Sequence, residues 1–289
     1  MNNRLFSDIT KPRLSTHRAR NIWGAWSILL LSFLPSTLTY GEETLIVAHR
    51  GASKDTPENT IPAFQLAWKQ GADAIEGDFH LTQDGKIVCI HDGNTKKVAG
   101  KNLVVRESTL SDLQQLDVGA YRGKDFVGTR VPTIAEVFAT VPEQKLIYVE
   151  IKCGPEIIPV LLDELQKSNL CNKQIIVISF KKEVIQELKA KAPQYKAYWL
   201  SGMKKDQSGN FLPSLETVLA TLEAINADGF SSNQNVIDES YIESVIRNGY
   251  EYHVWTIDNV KTARRFKKWG AHSITTNVPG LIRKQLAEE

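Results

Sequence analysis

The chain has 289 residues, 42% of them hydrophobic and 24% charged, with 35 Lys and Arg against 33 Asp and Glu. That composition belongs to a folded globular protein and excludes both a disordered chain and a bundle of membrane spans. With charges so nearly balanced, no basic stripe argues for a nucleic-acid partner.

The first 41 residues stand apart. Arg4, Lys11, Arg13, Arg18 and Arg20 face one acid, Asp8, and an uncharged apolar stretch of 13 residues follows at 22–34. Residues 35–41 are small or polar apart from Leu38 and Tyr40. A basic start, a short apolar run and a small-residue exit make a signal peptide. The run falls short of the roughly 20 residues needed to span a bilayer. The expectation is a leader over 1–41, cleaved near 39–41, that exports 42–289 to the periplasm or the exterior with no membrane span retained. The alternative is an uncleaved anchor. Setting the leader aside leaves 30 basic against 32 acidic residues. Cys89, Cys153 and Cys171 have no metal-site spacing and are odd in number, so they are expected to be buried thiols.

Beyond the leader, apolar strand patterns alternate with amphipathic helix patterns. Strands are expected at 45–48, 74–79, 146–151, 175–178, 197–200, 227–230, 252–255 and 273–276. Helices are expected at 61–69, 134–139, 157–167, 183–191, 214–222, 239–247, 260–268 and 281–287. Parallel neighbours need helical crossovers, so eight of each predict an α/β protein with a (β/α)8 TIM barrel, for which about 250 residues suffice. An open doubly wound sheet is the other arrangement of this pattern. Residues 87–90 break the rhythm. They follow the second strand through Gln83-Asp84-Gly85, a tight-turn sequence, and predict a β-hairpin arm. Residues 93–130, with five glycines and a short helix expected at 111–116, read as an insertion over the barrel mouth. One domain over 42–289 accounts for the whole pattern.

Polar residues gather at the strand ends, where a barrel of this type keeps its active site. The first strand ends in His49-Arg50-Gly51, the second holds Glu76 and Asp78, the arm ends in His91-Asp92, and the third holds Glu150 and Lys152. Residues two apart on a strand share a face, so Glu76 and Asp78 point together, as do Glu150 and Lys152. Three buried carboxylates demand compensation. One divalent cation, Mg2+ or Ca2+, would supply it, since oxygen ligands select hard ions. A salt-bridge layer with Arg50 and Lys152 would also do so. Two histidines, His49 and His91, can give and take protons, and Arg50 and Lys152 suit a phosphate. His80, His253 and His272 lack such companions and are expected to be ordinary structural residues.

These residues resemble the glycerophosphodiester phosphodiesterase family. The stretch AHRGASKDTPENTIPAFQLAWKQGADAIEGDFHLTQDGKIVCIHD, 48–92, is similar to its signature almost end to end. VEIK at 149–152, ISF at 178–180, VWTID at 254–258 and TTNVP at 275–279 continue the match in order. The resemblance implies that Glu76, Asp78 and Glu150 bind the metal, His49 and His91 are the acid–base pair, and Arg50 and Lys152 hold the phosphate. It further implies that Trp255 lines the substrate pocket and that Glu58 orients Arg50. The reaction implied is metal-dependent hydrolysis of small glycerophosphodiesters, such as glycerophosphocholine or glycerophosphoethanolamine, to sn-glycerol 3-phosphate and an alcohol. Related activities on lysophospholipids or phosphoinositides, and a non-catalytic phosphodiester-binding barrel, are the rival readings. Two positions depart from the family pattern. Asn277 stands where Asp is common after Thr276, and Asp258 stands where Asn is frequent. Lying outside the metal and histidine sets, they are expected to bear on substrate preference.

Overall fold

A computed structural model describes residues 43–288; the leader expected over 1–41 lies outside them. Strand β1 (Leu45–His49) leads through helix α1 (Ile61–Lys69) to β2 (Ala74–Leu81), which turns back into β3 (Ile87–Cys89). Short helices α2 (Lys96–Ala99) and α3 (Leu110–Gln114) and three 3-10 turns occupy the insertion. The alternation resumes with α4 (Ile134–Phe138), β4 (Leu146–Ile151), α5 (Ile158–Lys167), β5 (Ile175–Ser179), α6 (Lys182–Lys191) and β6 (Lys196–Ser201). A small hairpin, β7 (Lys204–Lys205) and β8 (Phe211–Leu212), precedes α7 (Leu215–Ala224) and β9 (Gly229–Asn233). Helix α8 (Glu239–Arg247), β10 (Glu251–Trp255), α9 (Val260–Lys268), β11 (Ser273–Thr276) and α10 (Pro279–Ala287) complete the chain.

Eight strands, all but β3, β7 and β8, pair in parallel, and β1 bonds to both β11 and β2, which closes the barrel. The open sheet is thereby excluded. Strand β3 pairs antiparallel with β2 as the expected arm. No helix among the described residues is long and apolar enough to cross a membrane.

Strand parity sorts the side chains. Ile75 and Phe79 of β2 join the main core between sheet and helices, while Ala74 joins Val47, Tyr148, Ile178 and Tyr198 inside the barrel. Glu76 and Asp78 share the parity of Ala74, so both point inward. Register then sets their neighbours: His49 lies beside Glu76, and Asp78 beside Glu150. Capping fixes where helices begin. Thr109 and Thr133 form reciprocal capping boxes with Asp112 and Glu136, each cap contributing on the order of 1 kcal/mol.

Two differences from the expected elements have physical causes. Strand β9 sits at Gly229–Asn233, later than 227–230, because its pairing half is small and polar, with Ser231 and Ser232. Gly229 is required there: a Cβ would come within 2.6 Å of the Glu251 carbonyl and 2.9 Å of the Tyr198 ring. The hairpin of β7 and β8 carries no apolar alternation. Asp206 organises it by accepting N–H bonds from Ser208 and Asn210.

Candidate active site

The turn after β1 builds the first half of the site. Arg50 and Gly51 both adopt left-handed conformations, with φ of 55° and 79°. A Cβ on Gly51 would sit 2.6 Å from Ala63, so only glycine lets the turn pack on α1. The turn aims the Arg50 backbone N–H at Glu76 Oε2, 2.8 Å away. The guanidinium meanwhile reaches Asp78 Oδ2 (3.1 Å) and Glu58 Oε1 (3.1 Å). Glu58 also pairs with Lys97 of the insertion at 2.9 Å, so Arg50 is held from behind by an anchored carboxylate.

Asn59, also left-handed at φ 58°, follows Glu58. Its Nδ2 donates to Asp78 Oδ2 at 2.7 Å, and its Oδ1 accepts the Asp78 N–H at 3.1 Å. Glu76, Asp78 and Glu150 are 2%, 0% and 8% exposed, and they offer ligand oxygens within 4.8 Å of one another. Lys152 Nζ lies 2.6 Å from Glu150 Oε1 and 3.3 Å from Asp78 Oδ1. Burial, Asp78 and Glu150 raise the Glu76 carboxyl well above its ordinary range. Burial and Asp78 push Glu150 up to about 7. Burial works the same way on Asp78, but Arg50 and Lys152 outweigh it and hold this carboxyl low. Two fixed cations therefore do not satisfy three carboxylates. Glu76 Oε1 is buried without a hydrogen-bond donor, and Asp78 Oδ1 has no hydrogen bond beyond its ion-pair contact with Lys152. Orphaned hard oxygens in a compact cluster fit a divalent cation, which needs just such ligands.

The imidazoles flank this cluster with different partners. His49 Nδ1 meets the side-chain oxygen of Asn277 at 2.8 Å. Burial and the neighbouring Arg50 push His49 down to about 4, so its ring is neutral at neutral pH. His91 Nδ1 instead meets the Asp92 carboxylate at 2.7 Å. His80 lies behind this loop, its Nε2 on the His91 carbonyl at 3.1 Å.

His49, Arg50, Glu76, His91, Glu150, Lys152 and Trp255, all expected in the site, line one cavity of about 150 Å³. Asp78 lies beneath it in the carboxylate cluster, and Glu58 lies behind Arg50. The cavity's aromatic wall includes Trp255 and Phe180, edge to face at 5.5 Å. Its floor includes Tyr148, Tyr198 and His253. His253 bonds Ser273 and stacks on Tyr198, with ring centroids 3.9 Å apart, so it is both a core residue and part of the floor.

Sequence reasoning gave no role to Asn59, Asp92 and Phe180, and tied Asn277 to substrate preference alone. The first two stood inside quoted motifs, and Phe180 ends the quoted ISF. Asn277 and Asp258, though outside the metal and histidine sets, are linked to one of the histidines: Asn277 bonds His49 directly and Asp258 bonds Asn277. One expectation needs correction. The cysteines are not uniformly buried: Cys89 is, Cys153 is half-buried and Cys171 is exposed. Cys171 sits in the turn before β5, where no core face claims it.

A closed (β/α)8 barrel with carboxylates, imidazoles and fixed cations at its mouth has the equipment of a phosphate-ester hydrolase. The sequence model of the glycerophosphoryl diester phosphodiesterase family matches residues 49–281. A glycerophosphodiester phosphodiesterase of Caldanaerobacter subterraneus is 34% identical over 251 residues, covering 84% of this chain and 99% of its own. One from Bacillus subtilis is 30% identical over 285 residues, covering 89% and 94%. Among solved structures, an Oleispira antarctica phosphodiesterase in complex with the product sn-glycerol-3-phosphate superposes with a TM-score of 0.76 at 22% identity, covering 84% of this chain and 96% of its own. The chain belongs to the glycerophosphoryl diester phosphodiesterase family and is a phosphodiester hydrolase.

Proposed function

We propose that the enzyme hydrolyses small glycerophosphodiesters, such as glycerophosphocholine and glycerophosphoethanolamine, to sn-glycerol 3-phosphate and an alcohol, with Mg2+ or Ca2+ bound. The observation that carries this reading is one cavity lined by two imidazoles and by Glu76 and Glu150 of a buried cluster of three carboxylates. Glu76, Asp78 and Glu150 hold the cation, which when bound neutralises phosphate charge and favours its growth in the transition state. Arg50 and Lys152 bind the phosphate oxygens and hold it in place. His49, neutral and half-buried on the cavity wall, takes the proton of the nucleophile, a water or a hydroxyl of the substrate. As the phosphorus–oxygen bond to the alcohol breaks, His91 gives its proton to that oxygen. The Asp92 carboxylate suits the imidazolium that this acid role requires. Glu58 orients Arg50, and Trp255 shapes the alcohol side.

A second reading, action on lysophospholipids, draws on apolar groups near the entrance. Tyr121 of the insertion is 47% exposed and accepts the Glu58 N–H, and Phe180 is 46% exposed on the cavity wall. A panel of glycerophosphodiesters and lysophospholipids assayed with Mg2+, Ca2+ and Mn2+ separates the two. Release of sn-glycerol 3-phosphate, lost on chelation and restored by metal, is expected. Undiminished turnover in stripped enzyme would remove the cation from the reaction, and no turnover of any diester would overturn the reading. The basic start and short apolar run of residues 1–41 support export of this activity from the cytoplasm, and cell fractionation checks it.

A further inference from the structure

We infer that Asp258 and Asn277 form a polarity lock that fixes the ring tautomer of His49, and that both are positioning residues for the acid–base reaction. The inference rests on the role proposed above for His49. It starts from the hydrogen-bonding capacity of each group. An ionised carboxylate only accepts, and an amide side chain has one donating and one accepting end. Asp258 Oδ2 lies 2.8 Å from Asn277 Nδ2, and Asp258 Oδ1 accepts the Asn277 backbone N–H at 2.8 Å and the Thr276 hydroxyl at 3.0 Å. A flipped Asn277 would put two oxygens face to face, so Asp258 dictates which end of the amide points away from it. That end is Oδ1, which faces His49 Nδ1 at 2.8 Å. Ser53 Oγ lies 2.9 Å from the same oxygen and 2.7 Å from the His49 carbonyl, so its single proton is divided between two acceptors and the assignment rests on Asp258. An amide oxygen cannot donate, so Nδ1 must carry the ring proton. Nε2 is then left with the lone pair that a general base needs.

The two positions that depart from the family pattern are thus bonded to each other. Exchanging the two residue types, with an amide at position 258 and a carboxylate at position 277, would keep the same bonds with the polarity reversed. The amide oxygen at 258 would accept from the Thr276 hydroxyl and from the backbone N–H of position 277. Its NH2 would donate to the carboxylate at 277, and that carboxylate would accept the same His49 Nδ1–H. The two departures compensate each other chemically, while either change alone breaks the lock. Asp258→Asn permits the flipped Asn277, whose Nδ2 would force the lone pair onto Nδ1. Asn277→Asp sets two carboxylates against each other 2.8 Å apart.

The test uses the full chain carrying Asp258→Asn, Asn277→Asp, or both. Steady-state kinetics on glycerophosphocholine are run beside 15N NMR of the His49 ring, assigned by its disappearance in His49→Gln. Wild type should show a protonated Nδ1 and a lone-pair Nε2. Each single variant should lose about 10- to 100-fold in kcat, the range typical of partners that orient a functional histidine, with KM little changed. The double variant should recover kcat to within about threefold and restore the wild-type ring signature, a non-additivity expected of groups that act as one unit. A double variant as impaired as the product of the singles, or singles with the wild-type tautomer, overturns the lock even where the singles fold poorly. Wild-type turnover in His49→Gln would instead overturn the role of His49, and the NMR signature would still report the lock by itself.

Discussion

Replacing Glu150 by Gln should stabilise the metal-free protein above pH 7 and remove the stabilisation that a cation provides. Glu150 is pushed from 4.5 to about 7 by burial and by Asp78. A carboxyl raised in the fold contributes stability that is present below its unfolded value and is lost as pH rises through its folded value. At roughly 1.4 kcal/mol per pH unit, that loss is about 3 kcal/mol. Glutamine has the shape of the protonated acid and does not titrate. The two metal-free proteins should therefore melt together near pH 4.5, and the Gln variant should melt higher at pH 8. For a domain of this size 1 kcal/mol moves the midpoint by about 2–4 °C, so the gap at pH 8 should be roughly 6–12 °C. Comparing variant with wild type at each pH isolates Glu150 from His49, whose lowered value acts with the opposite sign. Mg2+ or Ca2+ at about 1,000 times its Kd should reverse the order, since such a ligand adds about 4.1 kcal/mol to a protein that binds it, and the variant has exchanged one carboxylate oxygen and its negative charge for an NH2 group. Calorimetry after exhaustive chelation, with and without added metal, makes the measurement. A variant that melts at or below wild type in the stripped state at pH 8, or a gap that does not widen from pH 4.5, would refute the argument that these carboxylates wait for a cation.

His49→Ala and His91→Ala should each abolish turnover while circular dichroism and melting stay close to wild type; either variant at wild-type rates would strike that imidazole from the reaction. Gly51→Ala should destabilise the fold by about 1–3 kcal/mol, because φ is 79° and the added Cβ meets Ala63 at 2.6 Å; a denaturant titration with an unchanged midpoint would show that the turn relaxes freely. Asn59→Ala removes two hydrogen bonds from buried Asp78, and should cost about 1–3 kcal/mol and weaken metal affinity; titration calorimetry giving the wild-type affinity would count against Asn59 as a brace for the cluster.

Strand parity made much of this molecule readable. Glu76 and Asp78, two residues apart among apolar neighbours, had to share a face, and the face that took Ala74 into the barrel took them too. The β3 arm was legible because Asp84-Gly85 is a turn with a mechanism. Strand β9 was harder, because small polar Ser231 and Ser232 weaken its apolar pattern. Contacts between distant residues left no local trace. His49 and Asn277 are 228 positions apart, and only closure of β1 against β11 sets them side by side. Asn59 and Asp92 were visible as letters in motifs, but what they hold depended on left-handed backbone and loop geometry that no periodicity encodes.

Rings from β4, β6 and β10 plug the barrel beneath the reaction centre, with Tyr148, Tyr198 and His253 almost wholly buried. The catalytic chamber is therefore a blind well. Substrate, solvent and both products must pass through the same doorway, and traffic there sets an order of events. An elongated molecule can reach the floor only end first, with its other end left at the rim. Remodelling the rim would change what the enzyme accepts without touching how it cuts.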